Sequence, residues 1–252
     1  MANPAGNYPG RQIFLGGLDG RPAFVYLVTG RSDSSKQRYA TSFIESESAI
    51  RIKPIKEDEP FDPFRHYQAV RIDPKTGLLV VSNSQAPNDA VFEAYSFMTD
   101  EEKLGDNYLA RLIAAIGPEY DNKEKPTSRI VGVTFPLEEV DFASVLAITA
   151  KRGDGQQLNF RMPYTNLLIW VPTYNGDLAY RNFDPFILTE KKTEFHPSAK
   201  TAEELANEIY EISDYADPVY GDLRVCSVAG IRNGNGSGGW ELARKNRHNV
   251  GD

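Results

Sequence analysis

Apolar and polar residues follow two different periods along this chain, and the change of period assigns the elements. "QIFLGG" and "AFVYLVT", between residues 12 and 29, are β-branched and aromatic runs on either side of "LDGRP". Gly16, Gly17, Gly20 and Pro22 supply turn chemistry, so the stretch predicts two strands around a turn. "AIRIKPI" (49–55) predicts a further strand, and "KEDEPFDPF" a charged connection broken by proline. "YQAVRID" (67–73) and "GLLVVSN" (77–83) flank "PKTG", a hairpin signal. The spacing then lengthens. A helix is expected within 88–98, with Asn88 or Asp89 capping "AVFEAYSFM". A second fits "EKLGDNYLARLIAAIG", where Leu104, Tyr108, Leu109, Leu112, Ile113 and Ile116 recur at helical spacing and Gly117 closes the run.

The second half follows the same order. "RIVGVTF" (129–135), "SVLAITAKR", "LNFRMPY" and "LLIWVPTY" are β-rich and separated by turns such as "GDGQQ". "SAKTAEELANEIYEIS" predicts a helix with Thr201 as its cap and Glu204 as the capping-box partner; Leu205, Ile209 and Ile212 share one face. "DLRVCSVAGI" returns to strand. From Asn233 onward the Gly/Asn-rich composition predicts a mobile tail, 233–252. Many strands in hairpin order with about three helices point to an α+β fold. Two sheets packed face to face, each covered by helices, would bury these apolar strands.

Composition narrows the function class. An apolar fraction of 40% with 11% aromatics fits a globular chain of 252 residues, long enough for one large domain or two small ones. The net charge of −7 argues against a broad nucleic-acid surface, although it leaves room for a local basic pocket. The first residues carry no apolar signal region, and no run is long enough to span a bilayer, so a soluble cytoplasmic protein without a membrane partner is expected. Cys226 is the one cysteine, which removes intrachain disulfides and cysteine-based metal clusters. His66, His196 and His248 lack zinc-site spacing, so no metal is expected. Phosphate-loop, dinucleotide and serine-elbow motifs are absent as well.

Polar residues instead gather where strands end. "VTGRSDSSKQR" (28–38) reads as a solvated hairpin tip or as a loop that grips an anion, and its local sequence does not separate the two. Arg31, Ser32 and Arg38 lie in it. Tyr67 opens a strand after Arg65 and His66. Ser82, Asn83 and Asp89 follow another, Asp121 lies beyond the second helix, Arg129 opens the next strand, and Tyr174 and Asn175 end "LLIWVPTY". Read one by one, these are also what ordinary polar loops contain.

In order, these stretches resemble the archaeal-type IMP cyclohydrolase family. Its N-terminal Gly-Arg, apolar strand, Ser-Arg-Ser and second Arg are similar to Gly10–Arg11 and "GRSDSSKQR" here. A Tyr-Asn-Cys strand followed by Val-Val-[ST]-Asn and Asp resembles "HYQAV" and "LVVSNSQAPND". An Asp-Tyr-Glu segment followed by Thr-Pro-Arg-Ile resembles "EYDNKEKPTSRI", and Ser-Thr-Tyr resembles "VPTYNGD"; "TAEELANEI" and "DLRVCSVAGI" match the last helix and strand. The order holds across about 10 to 230.

The resemblance implies one domain over 1–232 with a four-layer αββα sandwich like that of N-terminal-nucleophile hydrolases, without autoprocessing. It also implies a cofactor-independent enzyme of purine biosynthesis. That enzyme would close 5-formamidoimidazole-4-carboxamide ribonucleotide (FAICAR) to IMP with loss of water. Carried over by motif, Arg38, Tyr67 and Asp121 would surround the reacting groups. Asp121 would be the base or its orienter, Tyr67 the donor to the developing oxyanion, and Arg38 a charge stabiliser. Arg31, Ser32, Asn83, Asp89, Arg129, Tyr174 and Asn175 would bind phosphate, ribose and base. Three departures mark this chain: Asp121 where the family has Glu, "NSQAPND" without the family's histidine, and two extra residues between Arg31 and Arg38. A non-catalytic purine-nucleotide-binding protein on the same fold is the alternative, and an amide hydrolase of the N-terminal-nucleophile class a third. Homo-oligomerisation is left open.

Overall fold

The computed structural model describes residues 7–104, 115, 129–135, 143–149, 155–161, 166–174, 176–177, 194–214, 216–233 and 239–248. In chain order the strands are β1 (Asn7–Tyr8), β2 (Gln12–Leu18), β3 (Arg21–Thr29), β4 (Arg38–Ala40), β5 (Ala49–Pro54), β6 (Tyr67–Ile72), β7 (Leu79–Ser82) and β8 (Arg129–Phe135). They continue as β9 (Ala143–Thr149), β10 (Gly155–Arg161), β11 (Leu167–Pro172), β12 (Gly176–Asp177), β13 (Glu194–Phe195), β14 (Ala216–Asp217), β15 (Gly221–Asp222), β16 (Arg224–Arg232) and β17 (Trp240–Asn246). The helices are α1 (Asp33–Lys36), α2 (Gln85–Ser96), α3 (Asp100–Leu104) and α4 (Ala202–Ile212).

One seven-stranded sheet runs β10-β9-β8-β7-β6-β5-β4, an antiparallel meander in sequence order. The other has six strands in the order β13-β11-β2-β3-β16-β17, so strands from both ends of the chain are interleaved. The period of two seen in the sequence sorts side chains between layers. Ile13, Leu15, Phe24, Tyr26 and Val28 meet Ile52, Tyr67, Leu79, Val81 and Ile130 in the core between the sheets. The alternate positions Phe14, Ala23, Val25 and Leu27 face Leu205, Ala206 and Ile209 of α4. On the far side Val80, Val131 and Val133 pack against Val91 and Tyr95 of α2. The layers therefore run helix, sheet, sheet, helix, as the sequence predicts.

Close approach of the sheets depends on Gly132. A Cβ there would lie 3.0 Å from Val81 Cγ1 and 3.3 Å from Ile13 Cγ2, so this inward position of β8, beside the inward-facing Ile130, is left without a side chain. The β2–β3 turn is Asp19–Gly20, with φ of 48° and 74°, the primed geometry that suits the twist of a tight hairpin.

Four expectations are corrected. The helix expected within 88–98 starts at Gln85, with Ser84 in the cap position. Asn88 instead donates to Gln68 O and Asp89 accepts from Arg71, so neither caps it. The capping box is displaced by one residue: Thr201 Oγ1 accepts from Glu204 N–H, but Glu204 Oε2 accepts from Lys200 N–H rather than from the cap's own N–H. The stretch from 233, read as a mobile tail, contributes β17 at Trp240–Asn246, paired along its length with β16. Trp240 stacks edge-on against Phe24 at 5.6 Å, which gives that strand an anchor in the core. Of the second expected helix, Asp100–Leu104 is seen and Ala115 is helical; the remainder lies outside the described residues.

Candidate functional site

Antiparallel register decides where the polar strand ends go. In the seven-stranded sheet the pairs Arg38↔Pro54, Ile52↔Tyr67 and Ser82↔Val131 bring the start of β4, the end of β5, the start of β6, the end of β7 and the start of β8 to one end. In the other sheet Gln12↔Leu27, Pro172↔Gln12 and Cys226↔Val28 align the start of β2 with the ends of β3 and β11 and the start of β16. The two ends coincide. Asn246 of β17 donates to Ala40 O at 2.9 Å and accepts from Ala40 N–H at 2.8 Å, which ties β17 to β4.

At this end, between the sheets, lies a pair of phenols. Tyr26 and Tyr67 share a hydrogen bond of 2.6 Å, and both are buried. Burial pushes the Tyr26 hydroxyl well above its ordinary range, and the neighbouring phenol adds to this. Burial also raises Tyr67, but Arg11, Arg38 and the hydrogen bond with Tyr26 all oppose the rise. Both are neutral phenols near pH 7, and either hydroxyl can be the donor in the bond they share. When Tyr26 donates, Tyr67 keeps its own hydroxyl proton to offer onward, beside two guanidinium groups.

Each of those arginines is aimed by carbonyls. Arg38, 3% exposed, donates from Nε to Ser35 O at 2.6 Å and from Nη1 to Arg65 O at 3.5 Å. Ser35 belongs to "GRSDSSKQR", which folds as the single helical turn α1 with Ser32 Oγ accepting from Ser35 N–H. Gly30 allows the turn to fold back, since a Cβ there would stand 2.6 Å from Ser35 Oγ and 2.7 Å from Ser35 O. Lys36 fixes the turn from outside through Tyr220 O. Arg11 donates from Nη1 to Phe64 O at 3.1 Å. The loop that supplies Phe64 and Arg65 also roofs a cavity of about 210 Å³ lined by Ile52, Pro54, Glu59, Phe61, His66 and Tyr67 among others.

Asn83 joins the sheets. Its Oδ1 accepts from Ile130 N–H at 3.1 Å, its Nδ2 reaches Thr173 Oγ1 at 3.5 Å, and Thr173 Oγ1 donates to Arg11 O at 2.8 Å. Arg129 precedes Ile130 on β8, and Tyr174 follows Thr173 with its ring over Gly10. Gly10 has φ of 70°, and a Cβ would come 2.8 Å from that ring.

Arg31, Ser32, Arg38, Tyr67, Asn83, Arg129 and Tyr174 are therefore brought to one end of the sandwich. Asp89 is set apart from Tyr67: its carboxylate accepts from Arg71 at 3.2 Å and from Gln85 at 3.3 Å on the α2 side of the sheet. Asp121 and Asn175 lie outside the described residues.

Sequence reasoning missed two members of the cluster as site residues. Tyr26 sits at an inward position of an apolar strand, and a buried phenol needs a partner, which was the available signal. Arg11 entered only as part of the Gly-Arg motif. Cys226, packed beside them, is no nucleophile; burial pushes its thiol up to about 12, against the opposing pull of Arg38. Among the described residues no group of three or more His, Cys, Asp or Glu could hold a metal, and no helix is long and apolar enough to cross a membrane.

Residues 8–235 match the model of a protein family described as IMP cyclohydrolase-like protein. That span includes every strand of the cluster's two sheets except β17. No curated protein matches the chain significantly.

Proposed function

Since the chain belongs to the IMP cyclohydrolase-like family, we propose that this end of the sandwich binds a purine nucleotide and closes FAICAR to IMP. The observation that carries the reading is the Tyr26–Tyr67 pair at 2.6 Å, with Arg11 and Arg38 beside it. In the reaction the carboxamide nitrogen attacks the formyl carbon, a C–N bond forms, and the formyl oxygen gains negative charge. That oxygen takes protons and leaves as water as the ring becomes aromatic. The step is a net dehydration with no change of oxidation state.

Tyr67 is suited to the first demand when Tyr26 donates to it, because its own proton is then left for the substrate oxygen. Arg38 stabilises the developing charge. Donors fixed in a dry site do this without reorganising during the reaction. Asp121 is assigned the remaining task, taking the proton from the attacking nitrogen. Arg31, Arg129 and Ser32 would receive the phosphate, for which guanidinium forks are the natural partner. Asn83, Tyr174 and Asn175 would contact ribose and base. Asp89, held by Arg71 and Gln85 on the α2 side of the sheet, is given no part in this arrangement. Holding nitrogen and formyl carbon in contact is itself a large part of the acceleration, on the order of 7 to 11 kcal/mol at best.

The test is direct. Purified protein is mixed with FAICAR near neutral pH, and IMP is followed by absorbance and chromatography. Sustained formation of IMP is expected. Calorimetric binding of IMP without turnover would leave the non-catalytic alternative, and neither binding nor turnover would overturn both.

A further inference from the structure

We infer that the turn Asp62–His66 is a positioning device for the two arginines beside the tyrosine pair, with Asp62 as its hub. The inference deepens the function proposed above and rests on it for its kinetic meaning. Asp62 is engaged at every polar group. Its Oδ1 accepts from Phe64 N–H at 2.9 Å and its Oδ2 from Arg65 Nε at 2.6 Å. Its carbonyl accepts from Arg65 N–H at 3.0 Å and His66 N–H at 2.7 Å. Its own N–H donates to His66 Nδ1 at 3.1 Å. Glu59 holds Arg65 from the other side, with Nη1 to Oε1 at 2.8 Å.

This closed turn presents two successive carbonyls outward. Phe64 O receives Arg11 and Arg65 O receives Arg38. A guanidinium on a long flexible stem is held only as firmly as the acceptors that fix it. One carboxylate, through a backbone that it shapes, therefore contributes to the aim of both cations, sharing Arg38 with Ser35 O. Neither "GR" nor "GRSDSSKQR" contains this information, because the acceptors come from a loop far along the chain. Burial of the Asp62 carboxyl would raise its proton affinity, yet the Arg65 hydrogen bond, Phe64 N–H and the nearby positive charges together hold it below the ordinary carboxylate range. It is thus the charged, accepting form that organises the turn at neutral pH. The turn also leads straight into Tyr67, so the same device sets the start of β6.

The test compares wild type with Asp62→Ala, Asp62→Asn, Arg38→Ala and the Asp62→Ala/Arg38→Ala pair. Guanidinium NMR signals of Arg11 and Arg38 are recorded for each free protein, and IMP affinity is measured by calorimetry. Asp62→Ala is expected to average the separate Nη signals of both arginines and weaken IMP binding about ten-fold, with Asp62→Asn lying between it and wild type. The Ala change should add clearly less than about ten-fold once Arg38 is absent, the remainder passing through Arg11, because residues acting through one another are not additive. Unchanged guanidinium signals in Asp62→Ala would overturn the inference, and so would full additivity. If Asp62→Ala does not fold, unchanged signals in Asp62→Asn overturn it equally. If wild type does not bind IMP, the proposed function fails, and the guanidinium signals still decide the positioning role.

Discussion

Tyr67 and Tyr26 are chemically alike but not equivalent, and a conservative change at each separates them. Tyr67→Phe removes the proton that can be donated, so kcat should fall about 10²–10³-fold, as for loss of an oxyanion donor. Tyr26→Phe leaves that proton in place and should lower kcat less than about ten-fold, while stability falls by about 1–3 kcal/mol because Tyr67 loses its buried partner. Steady-state kinetics on both variants checks the order, and equal losses would contradict it. The pair also sets an alkaline limit. Both phenols are raised in the folded state, so the neutral forms stabilise the fold fully below the unfolded value of about 10, and that contribution is lost as pH climbs beyond it toward the folded values. Thermal unfolding followed from about pH 8 to 11 should show Tm falling above about 10. Tyr26→Phe, which removes the more strongly raised group, should show the shallower fall.

Among the elements, α1 answers the question that its sequence left open. It is more than a plain hairpin tip: it folds as a helical turn whose Ser35 carbonyl aims Arg38. Gly30→Ala tests this, because the added methyl would meet Ser35 Oγ at 2.6 Å and Ser35 O at 2.7 Å and must displace the turn. Phosphate and IMP affinity should weaken about ten-fold, the equivalent of one charge-assisted hydrogen bond, while the fold is retained. Calorimetry together with circular dichroism checks both halves of that statement. The elements themselves were legible where the information is local. Strand periodicity gave 12–29 and 49–83, and Thr201 with its neighbours gave α4. β17 was not, because the glycines and asparagines before it dominated the composition and hid a strand anchored by Trp240. The start of α2 was missed because Asn88 and Asp89 look like caps. The helix begins at Gln85 instead, and Pro87 falls in its first turn, where a missing N–H costs no intrahelical bond.

At the scale of the molecule, the pairing of β3 with β16 and of β2 with β11 joins residues that no local pattern connects, and this pairing converts scattered polar loops into one site. Arg38 and Tyr67 could be nominated from motif order, whereas Tyr26 could not, since its partner is 41 residues away and its neighbours are apolar. What holds the two sheets in register at this end is partly Asn246. Its amide supplies both a donor and an acceptor to Ala40, which is fully buried and two residues from Arg38. Asn246→Ala would leave a buried N–H and a buried carbonyl without these partners, at about 1–3 kcal/mol each. For a chain of this size the loss should lower Tm by several degrees. Because β4 begins with Arg38, the same change should weaken IMP binding more than an equally destabilising change far from this end. Thr201→Ala, which removes the α4 cap for about 1 kcal/mol, is the reference for that comparison, with the loss of affinity scaled to the stability each variant loses. Denaturant unfolding and calorimetry on the two variants provide the measurement. Affinity that tracks stability equally in both would mean that the sheets hold their register at the site without Asn246, whereas a selective loss in Asn246→Ala would locate the coupling between fold and site at the β17–β4 junction.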